Sequence, residues 1–111
     1  MKNRRLVLSA LSLALGVGSS LSTGVQAEGN AKSGQVKAIP CMGCHAIPGY
    51  SNVYPTYHVP RVGGQHPDYI VAALKAYKGK LRSHPTMQAQ ASTLSDQDMA
   101  DIAAYFSSKP E

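Results

Sequence analysis

Cys41-Met42-Gly43-Cys44-His45 places two thiols and an imidazole within one short turn of a 111-residue chain. Three chemistries use such a set. A redox dithiol works through a thiol of lowered pKa, usually beside a βαβ unit. A structural zinc site needs four ligands, commonly two Cys/His pairs. The spacing CxxCH is also the signature of covalent haem attachment, in which each thiol bonds one vinyl group and the histidine binds iron. No βα alternation surrounds the cysteines and no second pair accompanies them. The motif therefore predicts one covalent haem c, with Cys41 and Cys44 as its thioether residues and His45 as an axial ligand. A disulfide between cysteines three positions apart would close too small a loop to constrain the unfolded chain much.

A low-spin iron that passes electrons needs a second axial donor on the opposite face of the ring. The candidates are Met42, Met87, Met99, His58, His66 and His84. Met42 lies inside the attachment turn and cannot reach the far face. Met99 sits on an apolar helical stripe, where methionine packs. His58 and His66 read as loop or helix-start residues. Met87 falls in a loop expected over residues 83–93 between two helices, after His84-Pro85, and its unbranched side chain can reach across to iron. It is the first choice, with His84 second.

The elements that must position these groups read as helices. The clearest ends before Pro110: Ser95 caps it, Asp98 completes a capping box, and Leu94 and Met99 form a hydrophobic staple. Met99, Ile102, Ala103 and Phe106 then recur at i, i+3, i+4 and i+7. A middle helix begins at Pro67 with Asp68 in its first turn, where the helix dipole favours an acid. Ile70, Leu74, Tyr77 and Leu81 form its buried stripe, and Gly79 weakens its end. A weaker helix covers about residues 30–38 with Gly34 inside it, and it is expected to end near the cysteines because Pro40 restricts Ile39. Residues 46–66 hold Pro48, Gly49, Pro55, Pro60, Gly63 and Gly64 without a sustained period. So long a loop is uncommon in a compact domain unless it serves a function, and Tyr50, Val53, Tyr54, Tyr57, Val59 and Val62 need a surface to pack on. With no strand pattern or repeat, the expected fold is all-α with long loops.

Ahead of this domain, Lys2, Arg4 and Arg5 precede an apolar run from Leu6 to Val17 and the small-x-small site Val25-Gln26-Ala27, the layout of a cleaved export signal. The run is shorter than the roughly 20 residues of a membrane span. Residues 1–27 are expected to be removed, leaving residues 28–111 as one exported domain in the periplasm with no stable membrane span. Three of the eleven Lys and Arg residues leave with the leader, so eight cations face six acids. That balance is too small for a nucleic-acid binder. Lys75, Lys78, Lys80 and Arg82 could steer an acidic partner, though they read first as a solvated helix face. A domain this short buries little apolar surface on its own. A haem would supply the missing core and give the tyrosine-rich loop something to cover.

Beyond the motif, the succession of Gly34, CxxCH, Pro60-Arg-Val-Gly-Gly-Gln65, Gly79-Lys-Leu-Arg82, Met87 and Leu94-Ser-Asp-Gln-Asp-Met-Ala-Asp-Ile-Ala-Ala-Tyr-Phe106 resembles the class I c-type cytochromes, especially the small bacterial periplasmic monohaem members. The resemblance implies a cytochrome c-like fold of three to four helices with long loops wrapped around one covalent haem. It implies that the first and last helices cross near the haem edge, Gly34 permitting close approach by Tyr105 or Phe106. It also implies that the Pro60 carbonyl accepts a hydrogen bond from His45 and that Met87 is the distal ligand. The Ala46-Ile47-Pro48 continuation departs from the shorter Gly/Asp-rich turn of that family.

The function so implied is one-electron carriage, with no catalytic residue. The donor would be a membrane quinol-oxidising complex or a periplasmic dehydrogenase, and the acceptor a terminal oxidase or reductase. One alternative is a fixed electron-transfer subunit of a periplasmic dehydrogenase, with Tyr50, Tyr54 and Tyr57 at the contact. The other is a ligand-binding or peroxidase-like haem protein with an open sixth position.

Overall fold

The computed structural model describes residues 27–54 and 56–110; the expected leader up to Gln26 lies outside the described residues. The elements run α1 (Ala31–Lys37), α2 (Ile39–His45), β1 (Ser51–Val53), β2 (Thr56–His58), α3 (Pro67–Lys78), α4 (Pro85–Ser92) and α5 (Asp96–Ser107). The fold is mainly helical, as the sequence predicts, with five helices among the described residues and one short antiparallel hairpin.

Helix α5 is the centre of the core. Ser95 and Asp98 form the expected reciprocal cap, with Asp98 N–H donating to Ser95 Oγ at 3.1 Å and Ser95 N–H to Asp98 Oδ2 at 2.9 Å. Its apolar residues meet Ile70, Val71 and Leu74 of α3 and Ala91 of α4, and Met99 and Ile102 are fully enclosed. Met99 therefore packs the interior, as its stripe position predicts.

Helix α1 crosses α5 at glycine. A Cβ on Gly34 would overlap the Asp101 carbonyl and lie 2.9 Å from Tyr105 Cβ, and one on Gly29 would overlap the Ala100 carbonyl. Backbone thus packs on backbone, at Asp101 and Tyr105 and not at Phe106. The absence of a side chain is what Gly34 contributes here. Polar bonds lock the same crossing. Asp101, only 3% exposed, accepts from Asn30 N–H at 2.8 Å, Lys37 Nζ at 2.6 Å and Gln97 Nε2 at 2.9 Å. Lys37 also pairs with Asp98 at 2.8 Å.

Three helix ends meet or depart from expectation. Helix α1 ends at Lys37, just ahead of Ile39 and Pro40, as expected, but a second helix that the sequence did not announce, α2, starts at Ile39, because proline in a first turn lacks only an N–H that would have no intrahelical partner. Leu81 does not join the buried stripe of α3 and is 88% exposed. The helix closes before it in a Schellman motif, with Leu81 N–H bonding Ala76 O at 2.9 Å and Lys80 N–H bonding Tyr77 O at 3.1 Å. Lys80 takes the left-handed position of that motif at φ 58°. Thirdly, residues 83–93 are mostly helix: α4 starts at Pro85, capped by His84.

The loop 46–66 is also more ordered than its composition predicts. Ser51 pairs with His58, Asn52 with Tyr57 and Val53 with Thr56. The hairpin tip faces solvent, with Val53 64% and Tyr54 92% exposed, so these two residues do not pack inward as expected. After the hairpin, Val59 is buried and Gly64, at φ 74°, donates its N–H to Phe106 O at 3.0 Å.

Candidate functional site

Residues at i, i+3 and i+4 share one face of a helix, and α2 uses that spacing for its chemistry. Cys41, Cys44 and His45 all line one cavity of about 460 Å³, a volume within the range of about 300–1,000 Å³ usual for cofactor pockets. Met42 does not line it; its sulfur lies 3.6 Å from the Tyr105 hydroxyl. The loop after the hairpin forms a second wall through Val59, Pro60 and Val62, and α3 a third through Ile70, Leu74 and Tyr77. Helix α4 adds Met87. Motif and candidate methionine, far apart in sequence, therefore share one cavity.

His45 Nδ1 lies 2.6 Å from the carbonyl oxygen of Pro60. A carbonyl can only accept, so Nδ1 carries a proton, and in the neutral ring Nε2 is the nitrogen with the lone pair. Such a bond fixes the tautomer and ring orientation of a metal-binding histidine and makes it a better donor. The cysteines are free and partly buried. Burial, and then the neighbouring Cys44, push the Cys41 thiol up, the reverse of what a reactive dithiol requires.

The other sequence candidates separate by position. Met99 is fully buried in the core and away from the cavity. His66 caps α3, its Nδ1 accepting from Asp68 N–H at 3.2 Å, and does not line the cavity. His84 and His58 do line it, His84 with Nδ1 already accepting from Met87 N–H at 3.3 Å. Sequence reasoning missed Tyr69, Thr86, Gln90, Arg61 and Arg82, which also line the cavity. Arg82 lies 4.9 Å from the Tyr77 ring centroid and donates to Tyr69 Oη at 3.4 Å. Of tyrosine and arginine, residues 69–82 hold only Tyr69, Tyr77 and Arg82, and no local pattern singles them out.

The donor set fits a haem: two thiols and an imidazole on one wall, largely apolar side chains around them, and two arginines available to its two carboxylates. A helical domain whose CxxCH turn faces such a cavity is a haem-attachment domain. The cytochrome c family profile matches residues 31–109, and the chain belongs to the cytochrome c family. Haem c is covalently bound in this family, and Cys41 and Cys44 fit its attachment.

Three relatives define the neighbourhood. Cytochrome c4 of Pseudomonas aeruginosa is 38% identical over 104 residues, covering 93% of this chain and 48% of the relative. Cytochrome c-554(548) of Halomonas halodenitrificans is 38% identical over 84 residues, covering 73% of this chain and 98% of the relative. The cytochrome subunit of sulfide dehydrogenase of Chlorobaculum tepidum is 30% identical over 73 residues, covering 66% and 63%. The chain spans about half the length of the cytochrome c4 relatives it matches.

Proposed function

We propose that this chain is a class I, monohaem c-type cytochrome that carries single electrons in the periplasm, with His45 and Met87 as axial ligands and residues 1–27 as its export signal. The observation that carries the reading is the shared cavity: the Cys41, Cys44 and His45 face of α2 and Met87 of α4 line the same space. Met87 is favoured over Met99 because Met99 is sealed in the core, and over His84 because that imidazole already caps α4. Among the described residues no helix is long and apolar enough to cross a membrane.

Haem c, when bound, supplies a one-electron couple. The chain sets its character. Pro60 holds His45 oriented through Nδ1, and two protein ligands leave no coordination position for a substrate. A methionine ligand raises the reduction potential relative to histidine. Donor and acceptor are redox proteins, a quinol-oxidising complex or dehydrogenase on one side and a terminal oxidase or reductase on the other. They would meet the domain through a small, transient interface.

Met87→Ala tests the ligand set. The ferric protein should lose the weak red absorption band of iron–thioether ligation, and the reduced protein should bind carbon monoxide rapidly. An unchanged band moves the ligand elsewhere, and rapid carbon monoxide binding by the unaltered protein favours an open sixth position. A second reading, a fixed subunit of a dehydrogenase, is supported by the exposed hairpin tip at Val53 and Tyr54 and by the name of the Chlorobaculum relative. Size exclusion of native extract separates the two: a free carrier elutes as a small domain, a subunit with its enzyme.

A further inference from the structure

His84 stands at the N-cap of α4 with extended backbone, φ −167° and ψ 102°, and its Nδ1 accepts the backbone N–H of Met87. Side-chain caps are ordinarily short and carry oxygen. An imidazole reaches further. Its ring meets the Tyr57 ring of β2 edge to face, centroids 4.7 Å apart and planes at 84°, and approaches Tyr77 of α3 at 6.4 Å and 77°. One side chain thus ties the hairpin and α3 to the first turn of α4. In the same turn Gln88 Nε2 donates to Arg82 O at 2.9 Å and Met87 packs against the core from a partly buried position, but Ala91 is the one buried residue of the helix, and Pro85 presets the backbone but offers no N–H to anchor.

We infer that His84 is the positioning residue for the distal ligand. The amide it anchors belongs to Met87 itself, so fraying of the cap displaces the very residue whose sulfur must reach iron. Asn or Ser could cap but could not reach Tyr57. Phe could pack on Tyr57 but could not accept the amide. The inference rests on the assignment of Met87 as ligand.

The test is titration of the ferric, haem-loaded protein with free imidazole, which must displace Met87, followed through the thioether band. His84→Asn keeps the cap and loses the ring, and His84→Phe keeps the ring and loses the cap. A cap contributes about 1 kcal/mol and an aromatic edge contact about as much. At 1.4 kcal/mol per decade, each variant should therefore bind imidazole about fivefold more tightly and His84→Ala about 25-fold more tightly. Lowered melting temperatures with imidazole affinity unchanged in all three would make His84 a purely structural residue and overturn the inference. A wild-type protein without the thioether band would instead overturn the ligand assignment, and the inference with it.

Discussion

Gly34→Ala is expected to force α1 away from α5. The added Cβ would fall on the Asp101 carbonyl and 2.9 Å from Tyr105 Cβ, and neither can swing aside as a side-chain tip can. Overpacking costs about 1–3 kcal/mol, and contact with backbone puts this case near the upper end. The better helix propensity of alanine offsets about 1 kcal/mol. The net loss is then about 2 kcal/mol, which in a domain of this size lowers Tm by about 8–16 °C. The bonds from Asn30 and Lys37 to Asp101 would lengthen together. Gly43→Ala is the control: Gly43 also lies in a helix, but no atom of the chain stands within 4 Å of the point its Cβ would occupy, so the propensity gain of about 1 kcal/mol meets no clash with the polypeptide. Thermal unfolding of both haem-loaded variants by far-ultraviolet circular dichroism should move Tm in opposite directions. A Gly34→Ala protein as stable as Gly43→Ala would refute the backbone-on-backbone crossing.

Lys80→Gly should stabilise by about 1 kcal/mol, because a left-handed position costs any residue with a Cβ; chemical denaturation with no gain would deny the Schellman closure. Met87→His should keep the iron low-spin and lower its potential, and a potential left unmoved counts against Met87 as ligand. Met99→Leu should cost less than about 1.5 kcal/mol, since only packing changes, and a lost thioether band in that variant would reverse the choice of methionine. The Lys37 ammonium, with Ser95, holds the Asp98 carboxyl below the usual carboxylate range, and with Asn30 and Gln97 it does the same to Asp101. Carboxyls so lowered stabilise fully above their ordinary value, near pH ~4, and lose that contribution as pH falls through the lowered folded value. Tm should therefore fall more steeply below that pH in the wild type than in Asp101→Asn, and parallel curves would contradict the network.

What the sequence made legible was whatever rests on short-range chemistry. The Ser95/Asp98 cap, the Met99, Ile102 and Phe106 stripe, the Pro67 start and the haem-attachment spacing are all local patterns, and each element stands where its pattern put it. Helix α4 escaped because Pro85–Ser92 is short and buries almost nothing, which leaves no apolar period to read. The hairpin escaped because three-residue strands cannot display alternation. Leu81 was misplaced because its periodicity runs on past the point where Lys80 turns the chain. Asp101 carried no signal at all: its partners Asn30, Lys37 and Gln97 become partners only when α1 crosses α5. The same holds for the cavity, whose walls come from stretches that only the fold brings together.

The central claim is that one haem is covalently attached through Cys41 and Cys44 and forms part of the interior of this domain. A reduced-minus-oxidised absorption spectrum, taken with the intact mass of the same purified protein, tests it in one preparation. The expected result is the sharp difference bands of a low-spin c-type haem and a mass above that of the leaderless polypeptide by one haem. A folded, colourless protein whose mass is that of the polypeptide alone would contradict it.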